Sequence, residues 1–169
     1  DPSTSTYTKQ FDFDGTNGEY SYGSLVEASN GKLYGVTLQG GANSKGVLFE
    51  YDPSTSTYTK QFDFDGTNGA SPFGSLIEAS NGKLYGMTNS GGSNSKGVLF
   101  EYDINSNNYI VKLEFDGSNG ATPYGSLLEA NNDGKLYGMT TNGGIYTSKG
   151  GIGLIFEYDI NTNTYTKKV

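Results

Sequence analysis

The sequence predicts an all-β protein made of β-propeller blades, each a four-stranded antiparallel sheet. Residues 1–18 recur unchanged at 52–69, and a related segment follows at 103–120. A repeat of about 50 residues is typical of propeller blades. Short runs of strand-forming residues alternate with 26 glycines, which stand at fixed positions of the repeat, and no segment has helical periodicity.

Each repeat unit divides into four predicted strands. Aligned on Phe11, Phe62 and Leu113, the units span 11–61, 62–112 and 113–169, and residues 1–10 are a spare copy of a blade's outer strand. In the second unit, runs of strand-forming residues predict four strands, at Ser75–Ala79, Lys83–Thr88, Val98–Asp103 and Tyr109–Phe115. The pair Asn81-Gly82 predicts a two-residue type I′ turn between the first two, because both residue types tolerate positive φ.

A motif within each unit resembles known repeat families. Tyr85-Gly-Met-Thr88 precedes the pair Gly91-Gly92 and the run Gly97-Val-Leu-Phe100, and the neighbouring units keep the same order of residues. This pattern resembles the GloVer-type tandem repeats of bacterial surface proteins. The run YDPSTSTY at 51–58 resembles the turn before the fourth strand of kelch blades. The GloVer resemblance implies an exported propeller at the cell surface, with no general biochemical activity.

Three blades are too few for a closed propeller, which typically has about four to eight. We therefore expect identical chains to associate head to tail until a ring forms, with three copies giving nine blades or two giving six. Nine blades are favoured, because long arrays are common in the family that the chain resembles. The spare strand predicts strand exchange, in which residues 1–13 of one copy complete the last blade of a neighbour and displace its C-terminal strand.

Composition excludes several classes of function. The net charge is −7, and all of the basic residues are lysines. The chain therefore has no basic surface for nucleic acid or for an anionic membrane. No apolar run is long enough for membrane insertion. Histidine and cysteine are absent, so Ser-His-Asp triads and the usual zinc sites are excluded, and we predict no cofactor.

The repeated carboxylates are the strongest candidates for catalysis. A glycoside hydrolase needs only two carboxyl groups at a suitable separation, and two glutamates recur in every unit, at 27, 78 and 129 and at 50, 101 and 157. A catalytic pair also needs an asymmetric environment that separates the two pKa values, whereas these residues repeat with the units. We therefore predict that the protein is not an enzyme, with a carboxylate glycoside hydrolase or lyase as the third alternative.

A second candidate site is the segment Asp12-Phe-Asp14-Gly-Thr-Asn17. Alternating carboxylate and amide oxygens around a glycine are typical of calcium loops, so Asp12, Asp14 and Asn17 form a minority calcium hypothesis. Asp and Asn also stabilise turns by bonding their own backbone, and no bidentate glutamate stands at a calcium-loop position. A solvated turn is the preferred interpretation, and we predict no metal.

Ligand recognition is predicted where the units differ from one another. The tyrosines recurring at 34, 85 and 137 suit sugar stacking, but packing between blades is the simpler interpretation of them. Loops at one end of a rigid scaffold more often carry binding residues. The candidate ligand-binding residues at such variable positions are Glu19, Tyr20, Gln39, Asn89, Asn142 and Tyr146.

These observations predict a non-catalytic structural or binding scaffold at the bacterial surface. The alternative is a lectin-like propeller that binds carbohydrate. The near-identity of the first two units is also typical of a designed or recently amplified repeat protein.

Overall fold

The regular structure is entirely β in this computed structural model, which describes residues 3–144 and 151–169. The described residues contain three antiparallel sheets. Sheet 1 comprises β1 (Val26–Glu27), β2 (Leu33–Thr37), β3 (Val47–Asp52) and β4 (Thr57–Asp63). Sheet 2 comprises β5 (Ala70–Pro72), β6 (Ile77–Glu78), β7 (Leu84–Ser90), β8 (Val98–Asp103) and β9 (Asn108–Glu114). Sheet 3 comprises β10 (Ala121–Pro123), β11 (Leu128–Glu129), β12 (Lys135–Asn142), β13 (Leu154–Asp159) and β14 (Thr164–Lys167).

The sheets are meanders, and in sheet 2 three of the four predicted strands are closely matched. β8 has the predicted bounds, β7 and β9 lie within two residues of theirs, and the predicted strand Ser75–Ala79 is reduced to the two residues of β6. The described residues contain no helix that could cross a membrane.

The innermost strand of sheet 2 is split into two pieces. Pro72 pairs with Thr88 of β7 and Ile77 pairs with Tyr85, so the four residues 73–76 bulge out opposite two residues of β7. β5 was not predicted from the sequence because it is three residues long and ends in proline. Proline is tolerated here because β5 is an edge strand and needs hydrogen bonds on one side only.

The predicted type I′ turn is wrong in the first two units. Gly82 has a φ of 74°, but Asn81 does not have positive φ. The amide of Gly82 donates to the Ala79 carbonyl at 2.8 Å, and the Ala79 amide donates to the Lys83 carbonyl at 2.9 Å. These bonds close a three-residue loop in which a type I turn precedes a left-handed glycine.

The hydrophobic core lies between the sheets rather than in one central cluster. One buried cluster joins sheet 1 to sheet 2 and a second joins sheet 2 to sheet 3. A phenylalanine on β3, β8 or β13 packs over a glycine of the neighbouring strand, β2, β7 or β12. A Cβ at Gly86 would lie 2.6 Å from Cζ of Phe100, so only glycine leaves room for the ring. Sheet-to-sheet packing of this kind is typical of propeller blades.

Candidate functional site

One glutamate that recurs in each sheet, on β3, β8 and β13, is buried in a hydrogen-bond network. In sheet 2 the Glu101 carboxylate accepts from the Tyr85 hydroxyl at 2.7 Å and from the Lys83 ammonium at 2.6 Å. Burial alone would raise the pKa of Glu101, but the bonds from Lys83 and Tyr85 and the charge of Lys112 outweigh it, and the pKa is lowered. Glu101 is therefore an ionised anchor between strands. The same tyrosine bond occurs in the other sheets, from Tyr34 to Glu50 at 2.8 Å and from Tyr137 to Glu157 at 2.7 Å.

The second repeated glutamate joins one sheet to the next. The Glu78 carboxylate on β6 accepts from the Ser29 hydroxyl of sheet 1 at 2.6 Å and from the Ser29 amide at 2.8 Å. Glu129 accepts the same two bonds from Ser80 of sheet 2, at 2.6 and 2.7 Å. Each of these two carboxylates bonds the hairpin turn of the preceding sheet.

Two of the three residues of the calcium hypothesis, Asp14 and Asn17, form a turn. The Asn17 amide donates to Asp14 Oδ1 at 3.0 Å, and the Asp14 amide donates to Asn17 Oδ1 at 3.0 Å. Asp12 instead pairs with Lys9 at 2.7 Å. Within residues 3–144 and 151–169 no three His, Cys, Asp or Glu side chains are grouped closely enough to hold a metal ion. The side chains of Asp14 and Asn17 thus bond each other's backbone amides and close a turn.

The variable residues lie at one end of the sheets, where the second strand meets the innermost one. Glu19 and Gln39 exchange backbone hydrogen bonds of 2.8 and 3.0 Å. Tyr20 is exposed with a φ of 56°. Asn142 pairs with Ala121 at the equivalent place in sheet 3, and Asn89 lies near the end of β7.

These residues are not gathered into one pocket. Glu19 and Gln39 are neighbours, whereas Asn89 and Asn142 belong to two other sheets. The Asn89 amide nitrogen is buried without a hydrogen-bond partner among the described residues. The candidate Tyr146 lies outside the described residues.

A polar groove of about 710 Å³ lies at one end of sheet 2, where the loop before β3 of sheet 1 meets it, and none of the described candidate residues lines it. The Ser71 amide donates to the Lys45 carbonyl at 2.8 Å, and this bond brings the loop before β3 against the start of sheet 2. The groove was not predicted because its lining comes from segments that are far apart in the sequence, from Lys45 to Glu114. Its polar lining includes Lys45, Asp65, Thr67, Ser90, Ser93 and Glu114.

An aromatic ladder runs across the bulges of the innermost strands. Tyr22 stacks on Phe73 with ring centroids 4.9 Å apart, and Phe73 contacts Tyr124 at 4.1 Å. Tyr22 and Tyr124 are exposed, whereas Tyr34 and Tyr85 of the predicted tyrosine ladder are buried. An aromatic residue precedes the repeated Gly-Ser in all three units, and this signal in the sequence could have revealed the ladder.

The geometry agrees with the comparison to known families. The Gloeobacter/Verrucomicrobia repeat model matches residues 1–169. The chain belongs to the Gloeobacter/Verrucomicrobia repeat family. This match confirms the GloVer-type resemblance in the sequence. No curated protein matches the chain significantly.

Solved structures similar to this Gloeobacter/Verrucomicrobia repeat chain have propeller folds. An extracellular domain assigned to a hybrid two-component system from B. thetaiotaomicron has a TM-score of 0.61 at 14% identity, covering 95% of this chain and 18% of that one. A nidogen/laminin complex has a TM-score of 0.58 at 12% identity, and the match covers 87% of this chain and 47% of that one. TolB from Acinetobacter baumannii has a TM-score of 0.53 at 15% identity, and the match covers 80% of this chain and 29% of that one. The chain thus spans less than half the length of each, and these likenesses show a propeller-like fold alone.

Proposed function

We propose that this chain is a non-catalytic repeat module that serves as a structural or binding scaffold at the bacterial surface. The observation that carries the proposal is the recurrence of the tyrosine–glutamate bond in all three sheets, at Glu50, Glu101 and Glu157. These carboxylates stabilise their own sheets. Catalysis by paired carboxyl groups instead needs one asymmetric site with separated pKa values.

Turnover assays on a panel of polysaccharides test the absence of catalysis. If the protein were an enzyme, its best candidate catalytic residues would be the two carboxylates that line the polar groove, Asp65 and Glu114. We expect no product release above a control without protein. Release that is lost in Asp65→Asn or Glu114→Gln, and kept in the equally folded Asp133→Asn, a change at an exposed carboxylate outside the groove, would show an enzyme and overturn the proposal.

Lectin-like carbohydrate binding is the second candidate, and the exposed ladder favours it. Sugar rings stack on exposed aromatic faces, and Tyr22 and Tyr124 each also offer a hydroxyl. A glycan array separates the two candidates. The scaffold proposal expects no bound glycan. Binding that is lost in Tyr22→Ala but kept in Tyr7→Ala, a change at another exposed tyrosine outside the ladder, would favour the lectin.

We also propose that the three sheets are three blades and that identical chains complete the ring, with nine blades favoured over six. The strongest support is the contrast between Met87, 6% exposed beneath sheet 3, and Met139, its counterpart in sheet 3, 58% exposed. Mass in solution tests this proposal for the 169-residue chain. We expect about 54 kDa for three chains of 18.0 kDa, or about 36 kDa for two. A monomer at micromolar concentrations would contradict it.

A further inference from the structure

The two junctions between sheets are built alike. Side chains from two central strands of one sheet, β2 and β3 or β7 and β8, share a buried core with a leucine and a phenylalanine of the next sheet. At the first junction these are Val36 and Leu48 with Leu84 and Phe100, and at the second they are Met87 and Leu99 with Leu136 and Phe156.

The two ends of the chain carry the two halves of one more such junction. On the outer face of sheet 3, Met139 and Ile155 occupy the positions of Met87 and Leu99, and both are exposed. On the outer face of sheet 1, Leu33 and Phe49 occupy the positions of Leu84 and Phe100. They line a hollow of about 350 Å³. Leu25, also in this hollow, is 52% exposed, whereas its counterpart Leu76 is 3% exposed beneath sheet 1.

Polar groups at the same two faces continue the contacts of the internal junctions. The Ser24 amide donates to Ser75 Oγ at 2.7 Å, and the Ser75 amide donates to Ser126 Oγ at 2.9 Å. The next step of this series would run from the Ser126 amide to Ser24 Oγ of another copy. Glu27 is the equivalent in sheet 1 of Glu78 and Glu129, which accept bonds from the hairpin turn of the preceding sheet. Its carboxylate would accept the same bonds from the hairpin turn of sheet 3 of another copy.

The N-terminal segment already holds the place of a preceding blade's outer strand. Phe11 stacks on Tyr58 of sheet 1 at 4.0 Å, as Phe62 of sheet 1 stacks on Tyr109 of sheet 2 at 4.0 Å. The Tyr51 hydroxyl donates to Gln10 at 2.7 Å, and the equivalent bond runs from Tyr102 to Gln61 at 2.9 Å. The segment therefore sits against sheet 1 as β4 sits against sheet 2. It belongs to none of the three sheets, the first of which begins at Val26.

Building on the proposed ring, we infer that these two faces form a head-to-tail interface between copies of this chain. Met139 and Ile155 of one copy fill the hollow beside Leu25 and Phe49 of the next. The N-terminal segment of that next copy pairs with β13 of the first and replaces β14, because both strands cannot occupy the one outer position. The two faces are complementary rather than self-complementary, so the association continues until the ring closes.

A matched pair of charge substitutions tests the interface. Ile155 and Ile110 are almost equally exposed in the single chain, at 41% and 40%. Ile110 lies on the outer strand of sheet 2 and remains exposed although sheet 3 already covers that sheet. We expect Ile155→Asp to reduce the mass to that of one chain and Ile110→Asp to leave the oligomer intact. Met139→Asp, a second change on the same face, should also give monomers, and melting curves verify that each variant is folded.

Mixing two variants, each with one of the two faces blocked, tests whether the face of sheet 3 binds the face of sheet 1. Leu25→Asp blocks the face of sheet 1 and Ile155→Asp blocks that of sheet 3, so each variant alone should be a monomer. Together they retain one intact pair of faces and should form a dimer of about 36 kDa, twice the 18.0 kDa chain, and nothing larger. A monomeric wild type would contradict the ring itself. An oligomeric wild type that Ile155→Asp leaves unchanged, or a folded mixture that does not dimerise, would overturn this interface and leave the ring standing.

Discussion

Sheets 2 and 3 carry the same motif, but they bury it to different extents. Tyr85-Gly-Met-Thr88 and Tyr137-Gly-Met-Thr140 occupy equivalent strands, β7 and β12. β7 is covered from both sides and its first five residues are buried, whereas at the same positions of β12 Tyr137 is only half-buried and Met139 is exposed. The difference arises from the neighbours, because sheet 3 covers one face of sheet 2 and no described residue covers the corresponding face of sheet 3.

The apolar content of each repeat is therefore suited to a sheet with a neighbour on each side. A sheet at the end of the array keeps the same apolar side chains but loses part of their burial, and burial is the main source of their stabilising effect. Changes at equivalent positions of the two sheets measure this difference directly.

The largest contrast is expected at the paired methionines. In Met87→Ala the cavity between sheets 2 and 3 should cost about 2–5 kcal/mol of unfolding free energy. Met139→Ala removes an exposed side chain and should change it by less than about 0.5 kcal/mol. Urea titration at concentrations low enough to keep the chain monomeric measures both. Equal losses of unfolding free energy would contradict the view that the stabilising effect of this methionine depends on a covering sheet.

The buried glutamates give the next contrast. Glu101→Gln removes the carboxylate that accepts from Lys83 and Tyr85, and we expect a loss of about 1–3 kcal/mol. Glu157→Gln removes the same group from sheet 3, where no further sheet covers it, and the loss should be smaller. Urea titration at neutral pH measures both variants. A larger loss at Glu157 would show that covering by a neighbouring sheet does not strengthen this network.

Local patterns in the sequence were sufficient to predict most of the strands. Runs such as Val98–Asp103 specify a strand through their own residue types, so their bounds could be predicted. The turn at Asn81-Gly82 was mispredicted because Asn-Gly fits two hairpin loops, and the pairing of Ala79 with Lys83 selects the longer one.

Features that arise between sheets could not be predicted in the same way. The bonds of Ser29 to Glu78 join residues 49 positions apart, and nothing local to either residue indicates the contact. The polar groove and the aromatic ladder depend on the same stacking of sheets. The candidate residues Glu19 and Gln39 were chosen because the units differ there, and variation alone does not specify which of them share a cavity.

A smaller contrast is expected at the hairpin turns. Ser80→Ala removes the hydroxyl bond to Glu129 and should lower the unfolding free energy by about 1 kcal/mol. Asn131 stands at the equivalent turn of sheet 3, which has no following sheet in the chain. Because Asn131 has a φ of 58°, the matched change is Asn131→Gly, which removes the side chain without straining the backbone and should have only a small effect in the monomer. Thermal unfolding measures both. A clear loss for Asn131→Gly in the monomer, matching that of Ser80→Ala, would show that the turn itself, rather than the bond between sheets, is stabilising.

The smallest effect concerns acid sensitivity at the turns between sheets. Bonds from the Asn68 amide and the Thr67 hydroxyl lower the pKa of Asp65, and bonds from the Ser118 hydroxyl and the Asn119 amide lower the pKa of Asp116. A carboxyl whose pKa is lower in the folded chain contributes stability above its unfolded pKa of about 3.9, and this contribution is lost as the pH falls through the folded value.

We therefore expect Asp65→Asn to be less stable than the wild type at pH 7 and to lose less of its stability on acidification. The gap between the two should narrow steadily below about pH 4, because protonation removes from the wild type what the substitution has already removed. Urea midpoints from pH 7 to about pH 2.5 measure the gap, with Asp116→Asn as the matched change between sheets 2 and 3. A gap that stays constant over this range would mean that the turn carboxyl acts through its shape and hydrogen bonds rather than through its charge.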